Sequence, residues 1–332
     1  MNVRDAYYKS SRTAVALLAV LATGGAMAAD DPAAMALAWT TLGTAGGPVA
    51  NAERSQSANL LSAGSHHWLV DCGDGAVERL AAAKRLAAQV DKVFISHLHM
   101  DHIGGLQGLI GLRWMTNAPG VLTVYGPPGT DRLVSGIVES MQPSARVAIA
   151  LKGGKPHPRP QDVVNVVILR DGSDLTVDGV RVRSVRNSHF DERPGVPADV
   201  GTESLSYRFD AGANAVGYTG DTGVSPQVAR LFKGVGLVVS EVIDLEGTIA
   251  NINGPHSPMP PETRPGLIAH LKSQHLTPQQ AGDLAAQAGA ARLVLTHLAI
   301  SGPTDAIAPA LVARARAAFS GEVRVAHDLD QF

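Results

Sequence analysis

Ser96-His97-Leu98-His99-Met100-Asp101-His102, directly after the apolar run Val93-Phe94-Ile95, is the stretch on which the fold and the chemistry turn. In extended backbone, residues two apart project to the same side, so His97 and His99 emerge together at the end of a strand. Asp101 and His102 then fall in the turn into a helix expected to start near Ile103. Four potential ligands thus leave the chain within six residues. The chain holds 12 histidines among 332 residues, so three of them in this window with an aspartate is not a chance grouping. Imidazole and carboxylate without thiolate suit zinc or a similar divalent transition metal, with Mn2+ or Fe2+ as alternatives.

Outward from this stretch, short β-rich runs alternate with helical ones. Strands are expected over 37–42, 67–71, 92–96, 121–125, 164–169, 179–186, 204–209, 214–219, 236–240, 292–296 and 323–326. Helices are expected over 76–89, 103–115, 131–141, 226–233, 278–289 and 306–319, the first with an apolar stripe at Leu80, Ala83, Leu86 and Val90. Ser225-Pro226 and Thr277-Pro278-Gln279-Gln280 mark helix starts, the second in capping-box form. The Pro-, Gly- and Lys-rich stretch 152–161 reads as a loop between two halves, and 251–265 as a second irregular loop that could be a lid. Three further polar residues end apolar β runs: His189 after Val180–Val185, Asp221 in Tyr218-Thr219-Gly220-Asp221-Thr222, and His297 closing Leu293-Val294-Leu295-Thr296. Strand ends are where open α/β sheets display ligand-binding residues. With the first cluster they make seven candidate ligands, the number two ions sharing a carboxylate would use.

The bulk composition excludes several partners. Net charge is −2 and the sequence pI about 6.6, so no basic surface announces nucleic acid or an anionic membrane. Aromatics are 4% of residues, too few to suggest a base-stacking groove. Residues 1–28 stand apart. Arg4, Lys9 and Arg12 precede the apolar stretch Ala14–Ala22, followed by Ala26-Met27-Ala28, and together they read as a cleavable secretory leader, with residues 29–332 the mature domain and a periplasmic or secreted destination. Removal of the leader takes away three positive charges and one negative (Asp5), moving net charge from −2 to −4. Cys72, the one cysteine, rules out an internal disulfide and is expected to be a buried small apolar group.

The pattern HxHxDH, a later lone histidine, Gly220-Asp221-Thr222 and Thr296-His297-Leu298 resembles the metallo-β-lactamase fold superfamily over nearly the whole of 29–332. That resemblance implies an α/β four-layer αββα sandwich with two Zn2+ ions at one edge, used to activate water. It implies one ion on His97, His99 and His189, the other on Asp101, His102 and His297, and Asp221 bridging them. Asp71, in Leu69-Val70-Asp71-Cys72-Gly73, matches the aspartate that steadies a ligand histidine. β-Lactamases proper lack the bridging aspartate, and the diiron oxygen-reducing members carry glutamate where this chain has His99.

Leu42-Gly43-Thr44-Ala45-Gly46-Gly47-Pro48 with Arg54-Ser55-Gln56-Ser57, and His275-Leu276-Thr277-Pro278, resemble the ribonuclease Z and arylsulfatase-like branch. The resemblance makes His275 the proton donor to the leaving group, oriented by Glu241, while Asp101 accepts the proton of water. Ser240 stands where that branch has a histidine before the glutamate. The expected activity is hydrolysis of a small phosphodiester or sulfate ester, such as an aryl or nucleotide ester, in preference to folded RNA. A lactonase on the same metals is the alternative enzyme reading, a non-catalytic metal-binding protein the third, and a homodimer is a candidate assembly.

Overall fold

A computed structural model describes residues 35–147, 157–193, 196–197, 200–257 and 259–332. The leader expected over 1–28 lies outside these, as do residues 152–156 of the proline-rich loop. The first sheet runs in chain order through β1 (Leu37–Gly43), β2 (Ala58–Ala63), β3 (His66–Cys72), β4 (Val90–Phe94), β5 (Leu122–Gly126) and β6 (Val164–Ile168). The first three strands pair antiparallel and the last three join in parallel. After a short hairpin start at β7 (Asp174–Val177) and β8 (Val180–Arg186), β9 (Asp191–Arg193) and β10 (Val196–Pro197) form a small ribbon. Then come β11 (Leu205–Ala211), β12 (Asn214–Tyr218), β13 (Leu237–Ile243), β14 (Arg292–Ala299) and β15 (Glu322–Val325). The second sheet is ordered β15-β14-β13-β12-β11-β8-β7.

The central strands β3, β13 and β14 are covered on both faces and are buried almost continuously, whereas β7, β8 and β15 toward the edges of the second sheet alternate. Trp68 and Val70 of β3, Phe94 of β4, Val239 of β13 and Val294 of β14 point into the layer between the sheets. Their neighbours Leu69 and Val93 pack outward against α1 (Ala76–Ala82), α2 (Met100–Ile103), α3 (Leu106–Met115) and α4 (Thr130–Ser140), which α5 (Gln142–Ala145) follows. Val238, Leu293 and Leu295 pack outward against α6 (Pro226–Leu231), α9 (Pro278–Ala288) and α10 (Thr304–Arg316). The result is the expected αββα sandwich. Seven aromatic rings, among them Trp39, Trp68, Phe94, Tyr207 and Phe209, fill the layer between the sheets. The small aromatic content is therefore spent mainly on the core.

Four expectations change. The helix from Val77 stops at Ala82, because Lys84 adopts a left-handed conformation (φ 58°) and the Arg85 N–H closes back on Leu80 O at 2.8 Å. Leu86 is accordingly exposed and Val90 begins β4 instead of extending a stripe. The boundary between halves is not the proline-rich loop: β6 follows that loop and still pairs with β5, so the chain changes sheets after Ile168. Residues 251–265 are only partly irregular, since α7 (Leu245–Asn253) and α8 (Arg264–Gln274) enclose them. The helix starts hold as expected. Ser225 Oγ accepts from the Val228 N–H at 3.4 Å, and Thr277 and Gln280 form a reciprocal capping box. Cys72 is fully buried, and burial pushes its thiol well above its usual range.

Candidate metal centre and active site

The site lies where the loops after β4, β8 and β12 meet a bulge within β14. After Phe94 the chain leaves the sheet, and His97, His99, Asp101 and His102 follow on the loop and on the short helix α2. His297 reaches the site through a bulge. Glu241 pairs with Thr296 but Val242 pairs with Leu298, so His297 is extruded from the ladder with φ 43°. A non-glycine residue held in that region costs free energy and persists only where its surroundings enforce it. Gly46 packs against the same bulge; a Cβ there would lie 2.6 Å from His297 O and Ala299 N. Gly220 has φ 56° and allows the Asp221 loop to pass over Ser96.

These turns bring together all seven residues expected to hold metal. His97 Nε2 and His189 Nε2 lie 3.0 and 3.2 Å from His99 Nδ1. Asp221 Oδ2 is 3.9 Å from each of the same two Nε2 atoms. On the other side, Asp221 Oδ1 is 3.3 Å from His102 Nε2 and 3.4 Å from His297 Nε2, and Asp101 Oδ2 is 3.3 Å from His297 Nε2. Asp221 thus presents one carboxylate oxygen to each of two groups of ligands.

Whether these groups fit cations can be judged from the far side of each ring. His189 Nδ1 is 3.1 Å from Gln274 O, a carbonyl that can only accept, so Nδ1 carries the hydrogen and Nε2 a lone pair. His102 Nδ1 faces Asp71 Oδ2 at 2.8 Å with the same consequence. Ser96 Oγ donates to Asp71 Oδ2 at 2.8 Å, which leaves it to accept from His97 Nδ1 at 3.1 Å. Three imidazoles are therefore locked with Nε2 lone pairs aimed inward. His102 Nε2 and Asp221 Oδ1 are buried without a hydrogen-bond partner. Converging lone pairs, buried carboxylates and orphaned ligand atoms are what a cation would satisfy. The donor set fits divalent metal on both sides of Asp221.

Charge divides the two groups. Burial lowers His97 well below its usual range and takes His189 down to about 3, so that side offers neutral imidazoles at neutral pH. On the other side burial also opposes charge, yet Asp221 and Asp71 overcome it and hold His102 well above its usual range. Burial would raise Asp101, but the His297 hydrogen bond and the charges of His102 and His297 hold it down at about 2. Carboxylates that stabilise positive charge on a neighbouring imidazole this strongly would stabilise a metal ion in the same place.

Asp71 is the hub beneath. Its Oδ1 accepts the Ser96 N–H at 2.7 Å, while Oδ2 takes Ser96 Oγ, Tyr218 OH at 2.7 Å and His102 Nδ1. At the rim, His275 Nδ1 is 2.8 Å from Glu241 Oε2, and Glu241 Oε1 accepts the Thr222 N–H at 2.6 Å. Burial disfavours a charged His275, but the Glu241 carboxylate outweighs it and raises the imidazole to about 9. A ring nitrogen of His275 comes within 4.8 Å of ligand atoms of both His189 and Asp221. Ser240 is buried one residue before Glu241, and its hydroxyl donates to Glu241 O at 2.8 Å.

Residues not anticipated from the sequence complete the site. Ser96 and Tyr218 hold Asp71, and both stood inside stretches already singled out. Gln274 acts through a backbone carbonyl, which no side-chain pattern reveals. Phe190 packs within 5.2–5.7 Å of the rings of His97, His99 and His189, and His270 of α8 lies 5.7 and 5.5 Å from those of His189 and His275.

Comparison with known proteins agrees with this arrangement. Residues 66–298 match the family described as the β-lactamase superfamily domain. The ribonuclease Z of Mycobacterium marinum is 33% identical over 301 residues, covering 87% of this chain and 96% of that protein. A metallo-β-lactamase fold protein of Bacillus subtilis superposes with a TM-score of 0.61 at 23% identity, covering 89% of this chain and 98% of its own. Human tRNase Z, short form, gives 0.59 at 22% identity over 89% and 98%. With fold, ligand set and relatives in agreement, the chain belongs to the metallo-β-lactamase superfamily, in its ribonuclease Z branch.

Proposed function

We propose that the protein is a metal-dependent phosphodiesterase, loaded with two zinc ions, that acts on a small phosphodiester after export. The observation that carries this reading is Asp221, with one oxygen toward each ligand group and the Glu241–His275 pair at its edge. His97, His99 and His189 would hold one ion, Asp101, His102 and His297 the other, and Asp221 both. Paired divalent ions in such a site supply Lewis acidity toward the ester and make a water nucleophilic near neutral pH.

The chain's own groups do the rest. Asp101, with its low proton affinity, is a weak base; its part is to orient water by accepting a hydrogen bond. His275, with Nδ1 fixed on Glu241, keeps its other nitrogen to donate a proton to a departing alkoxide. Glu241 is held in turn by the Thr222 N–H, so the donor is oriented from two shells away from the ester. The leader-like residues 1–28 support work outside the cytoplasm.

Ribonuclease Z relatives favour a second reading, RNA as substrate. A small ester is preferred because the net charge is −2 and the stretch 152–161 carries only Lys152, Lys155 and Arg159 as basic residues. RNA recognition rests largely on lysine and arginine contacts to phosphates. The test is turnover of bis(p-nitrophenyl) phosphate by the metal-loaded protein, abolished by chelation and by His99→Ala. Parallel assays on aryl sulfate, lactone, thioester and precursor tRNA discriminate the alternatives. Turnover of a lactone or sulfate with no phosphodiester cleaved would refute the assignment.

A further inference from the structure

Among the described residues, Phe190 is the one Phe, Tyr or Trp ring that belongs to none of the three hydrophobic cores. Trp114, Phe232 and Phe319 are buried beneath helices, and Phe332 packs against the layer between the sheets. Phe190 instead follows His189 directly, is half-buried, and lies across the His97–His99–His189 group. The backbone on either side is held firmly. The His189 N–H donates to Asn187 Oδ1 at 3.1 Å, and Gln274 Nε2 donates to Asp191 O at 2.7 Å. Leaving an aromatic ring partly in water beside a polar cluster forfeits much of the burial free energy that the other rings gain.

Three exposed apolar residues also lie close in sequence to the ligands or to a residue in contact with one. Val49, Met100 and Val224 are exposed at 79%, 69% and 64%. Met100 lies between His99 and Asp101, Val224 three residues after Asp221, and Val49 two residues after Gly47, whose N–H is 3.4 Å from His297 Nε2.

We infer that Phe190 is a specificity-determining residue that stacks a planar ring carried by the substrate, so that the ester cleaved bears an aryl or nucleobase group on the part that does not leave. This inference rests on the phosphodiesterase reading above and adds which phosphodiesters are preferred. A ring from the substrate would lie against Phe190, its phosphate among the histidines and its departing oxygen toward His275. Stacking on an aromatic side chain is tolerant of ring identity, so simple aryl esters are suitable probes.

The test compares bis(p-nitrophenyl) phosphate with methyl p-nitrophenyl phosphate, which release the same phenolate and differ only in the group retained. Wild type should show a KM about tenfold lower for the diaryl ester, as one stacking contact provides. Phe190→Leu should raise that KM by about the same factor while leaving kcat, and the methyl ester, little changed. Phe190→Tyr, which keeps the ring, should retain the preference. Calorimetric binding of diphenyl phosphate against dimethyl phosphate gives the same comparison without turnover, and metal content shows that each variant is loaded. Equal KM values in wild type, or an equal rise for both esters in Phe190→Leu with the metals retained, would overturn the inference and leave the phosphodiesterase reading standing. Failure of wild type to cleave either ester would overturn both.

Discussion

Asp71→Asn is the sharpest perturbation this structure offers. Asp71 sits at φ 59°, a conformation that asparagine tolerates as readily as aspartate, so the backbone gives no separate reason for change. The carboxylate meets four donors: the Ser96 N–H on Oδ1, and Ser96 Oγ, Tyr218 OH and His102 Nδ1 on Oδ2. An amide has one acceptor and one donor. With its oxygen toward the three donors, its NH2 opposes the Ser96 N–H; turned round, it opposes all three. The cheaper orientation orphans one buried N–H, at roughly 1–3 kcal/mol, and turns three charge-assisted bonds into weaker neutral ones. His102 also loses the anion that fixes its ring, which in metal sites costs roughly 10–100-fold in affinity. If two zinc ions bind as proposed, competition titration against a chromogenic chelator should show the one assigned to Asp101, His102 and His297 weakened by that factor. The ion held by His97, His99 and His189 should change less, since only Ser96 connects that group to Asp71. Two ions bound as in wild type, or both weakened alike, would refute the division of ligands and the role given to Asp71.

Three other outcomes follow from the same geometry. Chelation should lower Tm and zinc restore it, because a ligand that binds the folded state alone stabilises it by about 2.7 kcal/mol at one hundred times its Kd; an unchanged melt would mean the clusters hold no metal. His275→Ala should slow release of alkyl alkoxides roughly 10²–10⁴-fold yet barely affect p-nitrophenolate, which leaves without a proton; equal losses for both would remove the proton-donor role. Gly220→Ala places a Cβ 2.8 Å from that of Ser96 and forces a left-handed alanine, so the urea midpoint should fall by the equivalent of at least about 1 kcal/mol. A midpoint equal to wild type would show that the loop accommodates a side chain without cost.

The parts of the fold legible in the sequence were those governed by local rules. HxHxDH needs only a strand end and a turn, and Thr277 with Gln280 declares a helix start through its own hydrogen bonds. His189, Asp221 and His297 were visible as polar residues closing apolar runs, although only the sandwich brings them within reach of His99 and Asp101. What stayed hidden was set by tertiary contacts. The helix from Val77 carries a stripe that its chemistry could extend, but a left-handed Lys84 ends it. β2 (ANLLSA) is short and rich in small and polar residues and is held between β1 and β3, while β7, with one buried residue, forms along the open edge of β8. α7 and α8 bury no residue completely, so little periodicity marked them beforehand. The proline-rich loop looked like a seam because composition shows where a chain turns and says nothing of which sheet it rejoins.

The true crossing, after Ile168, has its own consequence. His97, His99, Asp101 and His102 belong to the segment that builds the first sheet, whereas His189, Asp221 and His297 belong to the one that builds the second. Neither segment owns a complete ligand set, so each cation would act as a rivet driven through both plates of the sandwich. Cut at 169–173, the two pieces would be inert apart and competent only as a reassembled pair, with zinc as the fastener that rewards correct union.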